Sequence, residues 1–454
     1  MALGTRAPHP PPVPVPGGHL PALDGLRGLA ILLVLLHHFF HPFFSPHALD
    51  AWLIRITRGG WCGVDLFFVL SGFLITGILL DAKRKRHYFR NFYVRRVLRI
   101  FPLYFAVLAL YFVVFPLLPD PKFGAYVAGS VDDQAWFWTY MTNFRLAERL
   151  QWYPNVVPNV YWSLAVEEQF YLVWPFVVLV LRRAALARVC LLLLAGAFLL
   201  RVGMTLSGAD PIATLVLTPA RIDTLAAGAF LACLVRARGG LRAVRLPVRP
   251  LLAASGAGLA AIFLLDGGLR AAADVTRTIG FSLFAVFFAS LLLSVLFAPE
   301  GSRRRRFFTQ PALRTLGKYS YALYLLHGPI GSFLTDVVRP YEFPRVFGSM
   351  LPGMAVYTAA CLAVSLAAAI LSWNLLERHF LRLKRFFREE APAAATGDAA
   401  GAAGMSAARA AGTAVIAAAT GPVPGAARAA ETDAPGAPGP AGKKRAVLRP
   451  ESAV

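Results

Sequence analysis

Charged residues are scarce in this chain. Only 15% of its 454 residues are charged, whereas 57% are hydrophobic and the mean hydropathy is +0.57. A soluble domain usually carries about 25% charged residues. The apolar residues also fall in blocks of about 20, the length at which a helix crosses the hydrocarbon of a bilayer. An ordinary soluble domain is therefore excluded, and the sequence predicts an all-α, polytopic membrane protein.

Cysteine is also rare. The four cysteines are scattered in or beside apolar segments, without a CxxC motif or a His/Cys ligand spacing. We expect them to be small apolar fillers, with neither disulfides nor a metal site. No small-residue cleavage site follows the first apolar block, so we expect that block to remain in the mature protein. No internal repeat is visible, which argues against a transporter, since many transporters are built from inverted repeats.

Acidic residues are outnumbered, at 24 against 46 basic residues, which gives a net charge of +22. The basic residues cluster in short loops and form no separate basic domain, so no nucleic-acid partner is expected.

About ten spans are predicted, near residues 21–42, 61–81, 101–118, 160–181, 187–206, 221–235, 250–267, 277–298, 316–337 and 349–373. With the N-terminus inside, the inner loops hold 27 Lys or Arg and the outer loops hold 10. The positive-inside rule therefore predicts that both termini are cytoplasmic.

The two ends of the chain differ from its middle. Residues 1–18 are rich in proline, and residues 389–454 are rich in alanine, glycine and proline. Such compositions offer too little bulky apolar surface to offset the entropy of ordering. We therefore predict disordered ends on either side of a transmembrane domain at 19–388, with no fused soluble enzymatic domain.

The first predicted span contains ionisable residues. Arg27 and His38 are 11 residues apart, about three helical turns, so they share one face about 16 Å apart along the axis. His37 is rotated by about 80° from that face and is a secondary candidate. Asp24 could pair with Arg27. Ionisable groups inside a span usually face a cavity or a partner. The alternative is that Arg27 reaches the inner headgroups and His38 only hydrogen-bonds a neighbouring helix.

A basic and aromatic stretch precedes the third predicted span. Residues 83–102 combine eight cations with five aromatic residues. Arg95 and Arg99 share a helical face, and Arg96 lies beside them. Arginine presents a planar fork of donors suited to phosphate oxygens, so these residues could bind a phosphorylated cytosolic ligand. The alternative is an interfacial segment that is held by anionic lipids.

Two adjacent glutamates, Glu167 and Glu168, lie inside the apolar stretch VYWSLAVEEQFYLVWPF at 160–176. Adjacent helical residues point about 100° apart, so only one of them is expected to face a given cavity. A glutamate here must find a cation, a histidine or water, and a structural pair with Arg27 is one alternative.

Weaker polar signals lie within or beside other spans. Asp65, the Arg221–Asp223 pair and His327 are each, taken singly, interpreted as polar groups in helix packing. The tripeptide SGF and the tetrapeptide AAGA also offer small residues for close contact between helices.

Seven motifs occur in order over roughly residues 20–385. They are LDGLRGLAILLVLLHHF, GVDLFFVLSGFLIT, FYVRRVLRIFPLY, YWSLAVEEQFYLVWP, RIDTLAAGAFLA, LGKYSYALYLLHGPI and LLERHF. Together they resemble the acyltransferase-3 family of bacterial integral-membrane O-acyltransferases. The resemblance implies a ten-helix core that moves an acyl group, most often acetyl, from cytosolic acyl-CoA to a hydroxyl. It also implies a catalytic pair, Arg27 and His38, and places Arg95, Arg96 and Arg99 near the acyl-CoA.

The resulting hypothesis is a multi-pass O-acyltransferase of the bacterial plasma membrane. Its partners would be membrane lipids, acyl-CoA (acetyl-CoA above all) and a cell-surface glycan or glycosylated metabolite, without a metal. His38 would act as base, and Arg27 or Glu167 would orient or balance the site. The rival hypothesis is a transporter or flippase with an intramembrane His/Glu/Arg relay. A catalytically silent membrane scaffold is a third possibility.

Overall fold

The computed structural model describes residues 20–40, 47–154, 159–237 and 246–387. The predictions of disorder for 1–18 and 389–454 therefore fall outside the described residues. Within the described ranges the regular structure is helical, without a β-strand. Within these ranges the fold is thus built entirely from the packing of helices.

The helices of the first half of the described chain, in order, are α1 (Pro21–Phe39), α2 (Ala48–Arg58), α3 (Gly63–Ala82), α4 (Tyr88–Ala109), α5 (Pro121–Val127), α6 (Gln134–Trp138), α7 (Thr142–Arg149), α8 (Tyr161–Val180) and α9 (Arg183–Leu206). Those of the second half are α10 (Pro211–Val216), α11 (Thr218–Val235), α12 (Val248–Leu265), α13 (Phe281–Leu296), α14 (Arg303–Thr309), α15 (Pro311–Lys318), α16 (Ser320–Val338), α17 (Leu351–Ser372) and α18 (Arg378–Arg382). Short 3₁₀ turns lie at Gly59–Cys62, Pro340–Glu342 and Leu383–Phe387, and π-helical turns lie at Leu110–Val114, Thr276–Gly280 and Trp373–Glu377. One further α-helical turn, Phe115–Leu117, continues α4 beyond its π turn.

Nine helical segments within the described ranges are long and apolar enough to cross a membrane. They are Pro21–Phe39, Ala48–Ala82, Tyr88–Leu117, Tyr161–Val180, Arg183–Leu206, Pro211–Val235, Val248–Leu265, Thr276–Leu296 and Leu351–Phe387. The predicted span at 316–337 is also a helix, α16, but His327, Pro329 and Asp336 make it less apolar than the other nine. It packs against α1 and α17. The prediction of an all-α polytopic membrane protein is confirmed, and the cytoplasmic placement of both termini remains a prediction.

Helix α4 begins earlier than the sequence suggested. The predicted span at 101–118 is the second half of a helix that starts at Tyr88. Arg95, Arg96 and Arg99, which the sequence placed at helical spacing before the span, therefore lie on the same helix as the span. The hydrophobic pattern did not indicate this first half because its residues alternate between cations and aromatic rings. The consequence is that the arginines are held by a rigid element that continues into a span.

Helices α3 and α11 approach each other through glycine. A Cβ atom added at Gly72 would lie 1.9 Å from the carbonyl oxygen of Leu225, and one at Gly228 would lie 2.0 Å from that of Val69. Both distances are far inside van der Waals contact, so the backbones meet directly. The prediction that SGF and AAGA serve close helix packing is confirmed.

Two buried ion pairs tie α3, α9 and α11 together. Arg221 Nη2 lies 2.5 Å from Asp65 Oδ1, and Arg201 Nη2 lies 2.7 Å from Asp223 Oδ2. All four side chains are almost completely buried. The sequence interpreted Arg221 and Asp223 as polar groups in helix packing, and both do join neighbouring helices. Residues two apart on a helix point about 200° away from each other, so each finds its partner on a different neighbouring helix.

Candidate active site

Five charged side chains gather around one internal cavity, which we call the arginine cavity. It lies between α1, α3, α4, α8 and α16 and has a volume of about 120 Å³. Its charged lining residues are Arg27, Arg96, Arg99, Glu167 and Glu168. Ser71, Ser163, Tyr171, Tyr321 and Tyr324 add hydroxyl groups to the same walls. Three cations with two carboxylates leave this cavity with a surplus of positive charge.

Two arginines of this cavity are held by contacts on different helices. Arg27 Nη1 lies 3.3 Å from Asp24 Oδ1, which confirms the predicted partner one turn earlier in α1. The Arg96 guanidinium carbon lies 6.0 Å from the centre of the Tyr171 ring on α8. Contact with an aromatic face holds a guanidinium without consuming all its in-plane donors. Arg96 therefore keeps hydrogen-bonding capacity toward the cavity.

Both glutamates border the arginine cavity, contrary to the expectation that only one would. The cavity wraps around α8, because it also touches Ser163, Leu164 and Tyr171 of that helix. This arc is wider than the 100° between adjacent residues. Glu167 lies beside Ser71 and Tyr171, whose hydroxyls hydrogen-bond each other, and within electrostatic range of Arg96 and Arg27. It is therefore placed to balance cations in this cavity.

Arg95 is placed differently from its two neighbours. It does not border the arginine cavity, whereas Arg96 and Arg99 do. It lies with them in electrostatic range of Lys384, in the last described turn of the chain. Of the three arginines that the resemblance assigned to acyl-CoA, two thus line the cavity and one lies behind it.

A second cavity, which we call the histidine cavity, adjoins the first. It has a volume of about 580 Å³. Its lining includes His37 and His38, three arginines (Arg58, Arg221 and Arg270) and three tryptophans (Trp61, Trp152 and Trp162). Val64 and Tyr324 border both cavities. The two spaces therefore meet at these two side chains, and we call this place the junction.

His38 has a defined tautomer. Its Nδ1 lies 2.9 Å from the carbonyl oxygen of Val34. Because a carbonyl only accepts, Nδ1 carries the proton and Nε2 keeps its lone pair when the ring is neutral. His38 also borders a third cavity, which His37 does not. The geometry therefore suits His38 for taking up a proton at Nε2.

A further histidine, His327, lies against His38. The two ring centres are 4.7 Å apart, and His327 is completely buried. Its Nδ1 lies 2.7 Å from the carbonyl oxygen of Tyr324, and its Nε2 has no hydrogen-bond partner among the described residues. Sequence reasoning treated His327 as a packing group. A histidine in an apolar segment was the only local signal, and its neighbour is 289 residues away in the chain.

The predicted pair Arg27 and His38 is divided between the two cavities. Arg27 borders the arginine cavity and His38 borders the histidine cavity. The separation along α1 that the sequence predicted therefore spans the junction. Such a site suits a substrate with an anionic end and a distant reactive end, and a second substrate that reaches His38 from the other cavity. These features define a polytopic membrane protein built for group transfer.

The family follows from comparison with known proteins. The model of the acyltransferase-3 family, described as an acyltransferase domain, matches residues 20–373. The chain belongs to this family, which confirms the predicted family and the prediction of an acyltransferase. No solved structure matches the chain.

Several curated proteins are similar to this chain. The peptidoglycan O-acetyltransferase OatA of Listeria monocytogenes is 29% identical over 75% of this chain and 54% of its own length. YrhL of Bacillus subtilis is 32% identical over 70% of this chain and 50% of its own length. The O-acetyltransferase OatA of Staphylococcus aureus is 27% identical over 72% of this chain and 53% of its own length. The chain thus spans about half the length of the curated relatives that it matches.

Proposed function

We propose that this protein is an O-acyltransferase of the bacterial plasma membrane. It transfers an acetyl group from cytosolic acetyl-CoA to a hydroxyl of a cell-envelope glycan. The observation that carries the proposal is the junction. There, a cavity lined by three arginines and two glutamates adjoins a cavity that holds two histidines and three tryptophans beside its own arginines.

The arginine cavity suits the donor. Acetyl-CoA carries phosphates at one end and its thioester at the end of a long flexible arm. Arg27, Arg96 and Arg99 offer charge-assisted hydrogen bonds to phosphate oxygens. With the phosphates at these residues, the arm runs along the cavity and brings the thioester toward the junction. In the predicted topology these arginines lie on the cytoplasmic side, where acyl-CoA is available.

The histidine cavity suits a carbohydrate acceptor. Trp61, Trp152 and Trp162 present large aromatic faces, which pack against the apolar C–H faces of sugar rings. Trp61 is fixed by its indole N–H, which donates to the carbonyl oxygen of Leu269 at 2.9 Å. The names of the Listeria and Staphylococcus relatives, both O-acetyltransferases, support a hydroxyl acceptor, and the first of them names peptidoglycan.

The proposed reaction is direct acyl transfer. The acceptor oxygen attacks the thioester carbonyl carbon while His38 Nε2 takes the hydroxyl proton. The carbonyl π electrons move to oxygen and form a tetrahedral intermediate. That intermediate collapses to the ester, the C–S bond breaks, and the CoA sulfur leaves and takes the proton from His38. Arg27 acts at the donor end, where it holds the phosphates, and Glu167 balances the cations of the same cavity.

The decisive experiment measures release of CoA thiol by purified protein. Acetyl-CoA and peptidoglycan glycan fragments are supplied, and acetylated product is followed by mass spectrometry. His38→Ala is expected to lower transfer by at least about 100-fold, because it removes the base. His379→Ala replaces an exposed histidine that borders none of the three cavities, and should leave the rate unchanged.

Two outcomes would overturn the proposal. Normal transfer by a folded His38→Ala protein would remove His38 from the reaction. Absence of thiol release by the wild-type protein with every acceptor, together with transport of a glycan across vesicles, would favour the rival transporter.

A further inference from the structure

We propose that Arg221 is the group that stabilises the oxyanion of the tetrahedral intermediate. This inference rests on the proposed function, since it assigns a role within the same acyl transfer. Sequence reasoning treated Arg221 as a packing group. Its contacts, its placement and its unused donors all point to a role at the reacting atoms.

Arg221 is a buried cation with donors to spare. It is completely buried, and Nη2 contacts Asp65 Oδ1 at 2.5 Å. Its Nε and Nη1 have no hydrogen-bond partner within the part of the chain that the structure describes. Buried donors are nearly always satisfied, so two unused donors on one guanidinium require an explanation. A substrate oxygen would supply the missing acceptor.

Arg201 makes the contrast clear, since it is the other completely buried arginine of this region. Its Nη1 donates to the carbonyl oxygen of Ala220 at 2.6 Å, and its Nη2 donates to Ser282 Oγ at 2.7 Å. It also pairs with Asp223 and borders neither the arginine nor the histidine cavity. Among the described residues Arg201 leaves only Nε without a partner, whereas Arg221 leaves both Nε and Nη1 without one and lines the histidine cavity.

Aromatic rings hold the Arg221 guanidinium in place. Its central carbon lies 4.0 Å from the centre of the Phe281 ring and 5.8 Å from that of Trp162. A guanidinium stacked on a ring face keeps its N–H groups in its own plane, where they can donate. Asp65 fixes one edge of that plane. The remaining donors are therefore held in a set direction before any substrate arrives.

The position of Arg221 matches the place where negative charge develops. Its partner Asp65 directly follows Val64, which borders both cavities at the junction. A thioester that arrives from the arginine cavity emerges at this point. His38, on the same histidine cavity, receives the proton from the acceptor hydroxyl. The base and the cation thus line one space into which the thioester carbonyl arrives.

The electrostatics favour the intermediate over the substrate. Asp65 balances the charge of Arg221 in the resting protein, so a neutral thioester meets a pair without net charge. When the carbonyl electrons move to oxygen, the fixed N–H donors gain an anionic acceptor without reorganisation. Removal of one such donor typically lowers kcat by about 100- to 1000-fold.

The test compares Arg221→Lys and Arg221→Gln with Arg201→Lys in the full-length protein. Acetyl-CoA and peptidoglycan glycan fragments are the substrates, and kcat, both KM values and the melting temperature are measured. We expect each Arg221 variant to lower kcat by about 100-fold or more, with both KM values changed by less than about twofold. Arg201→Lys is the matched structural control. Any decrease in its kcat should be accounted for by the decrease in the fraction of folded protein.

Each other outcome counts against the inference. Equal losses of kcat in the Arg201 and Arg221 lysine variants would indicate a structural role for both. A higher acceptor KM with unchanged kcat would make Arg221 an acceptor-binding residue. Failure of both Arg221 variants to fold, with Arg201→Lys folded, would assign Arg221 to stability. If His38→Ala abolishes transfer while the Arg221 variants keep normal kcat, only this inference fails and the proposed function stands.

Discussion

Replacement of Gly72 by alanine should separate α3 from α11. The added Cβ atom would lie 1.9 Å from the carbonyl oxygen of Leu225, and 3.4 Å is the start of ordinary contact. The obstacle is backbone and cannot rotate away as a side chain would. The helices must therefore move apart by about 1.5 Å at this level, because interiors are packed too densely to absorb the overlap locally.

The displacement has two consequences that the structure allows us to size. Overpacking of this kind costs about 1–3 kcal/mol, and a backbone obstacle places Gly72→Ala at the upper end. Such a loss lowers the melting temperature by a few degrees in a chain of this length. A shift of about 1.5 Å would also lengthen the 2.5 Å contact between Arg221 and Asp65 to about 4 Å, beyond hydrogen-bond range. We therefore expect turnover to fall together with stability.

The assay measures melting temperature and thiol release on the same preparation. Gly196→Ala is the matched control, because a Cβ atom there has nothing within 4 Å. It lies in the middle of α9 and should leave both quantities unchanged or slightly raise the melting temperature. If the Gly72→Ala protein has the melting temperature of the control and a normal rate of thiol release, the close contact of α3 with α11 does not maintain the geometry of the site and the reasoning is wrong.

Two other predictions follow from the contacts of the site and of the loop before α8. Arg96→Gln should raise the KM for acetyl-CoA by about 10- to 100-fold through loss of a charge-assisted hydrogen bond. Arg90 is exposed on the same helix, and Arg90→Gln should leave the KM for acetyl-CoA unchanged. Equal KM values in the Arg96→Gln and Arg90→Gln proteins would contradict a role of Arg96 in phosphate binding. Asp133, outside the spans, is buried, which opposes its ionisation, but hydrogen bonds from Tyr153, Arg145 and Arg149 outweigh burial and lower its pKa. The ionised Asp133 therefore stabilises the folded loop. This contribution is complete above the ordinary aspartate pKa and is lost as the pH falls through the lowered pKa. At neutral pH the loop should therefore be digested faster in the Asp133→Asn protein than in the wild type, and in acid the two rates should be equal. Equal digestion rates at neutral pH would contradict the stabilising role of Asp133.

The sequence predicted most of the helical architecture, because the relevant signal is local. A block of about 20 apolar residues needs no distant partner to be recognised, and a polar residue inside it attracts attention by itself. Arg27 and Glu167 were found in this way, and both line the arginine cavity. The start of α4 at Tyr88 was missed because its arginines and aromatic rings form no continuous apolar block.

The partners of the polar residues could not be predicted from the sequence. Asp65 and Arg221 are 156 residues apart, and no local pattern on either helix indicates that they meet. The contact of His38 with His327 has the same origin, since α1 and α16 become neighbours only when the bundle is packed. Each residue was visible singly as a polar group in an apolar segment. Its role could be inferred only when the structure showed which residue it contacts.

Helix α3 joins the stability of the bundle to the geometry of the site. Gly72 sets its distance from α11, Ser71 reaches the arginine cavity, Val64 forms the junction, and Asp65 holds Arg221. These four residues lie within three helical turns, so a shift of the helix moves all of them together. Substitutions on this helix should therefore change turnover and stability in proportion. Substitutions on the exposed face of α9 should change neither, because that face contacts no element of either cavity.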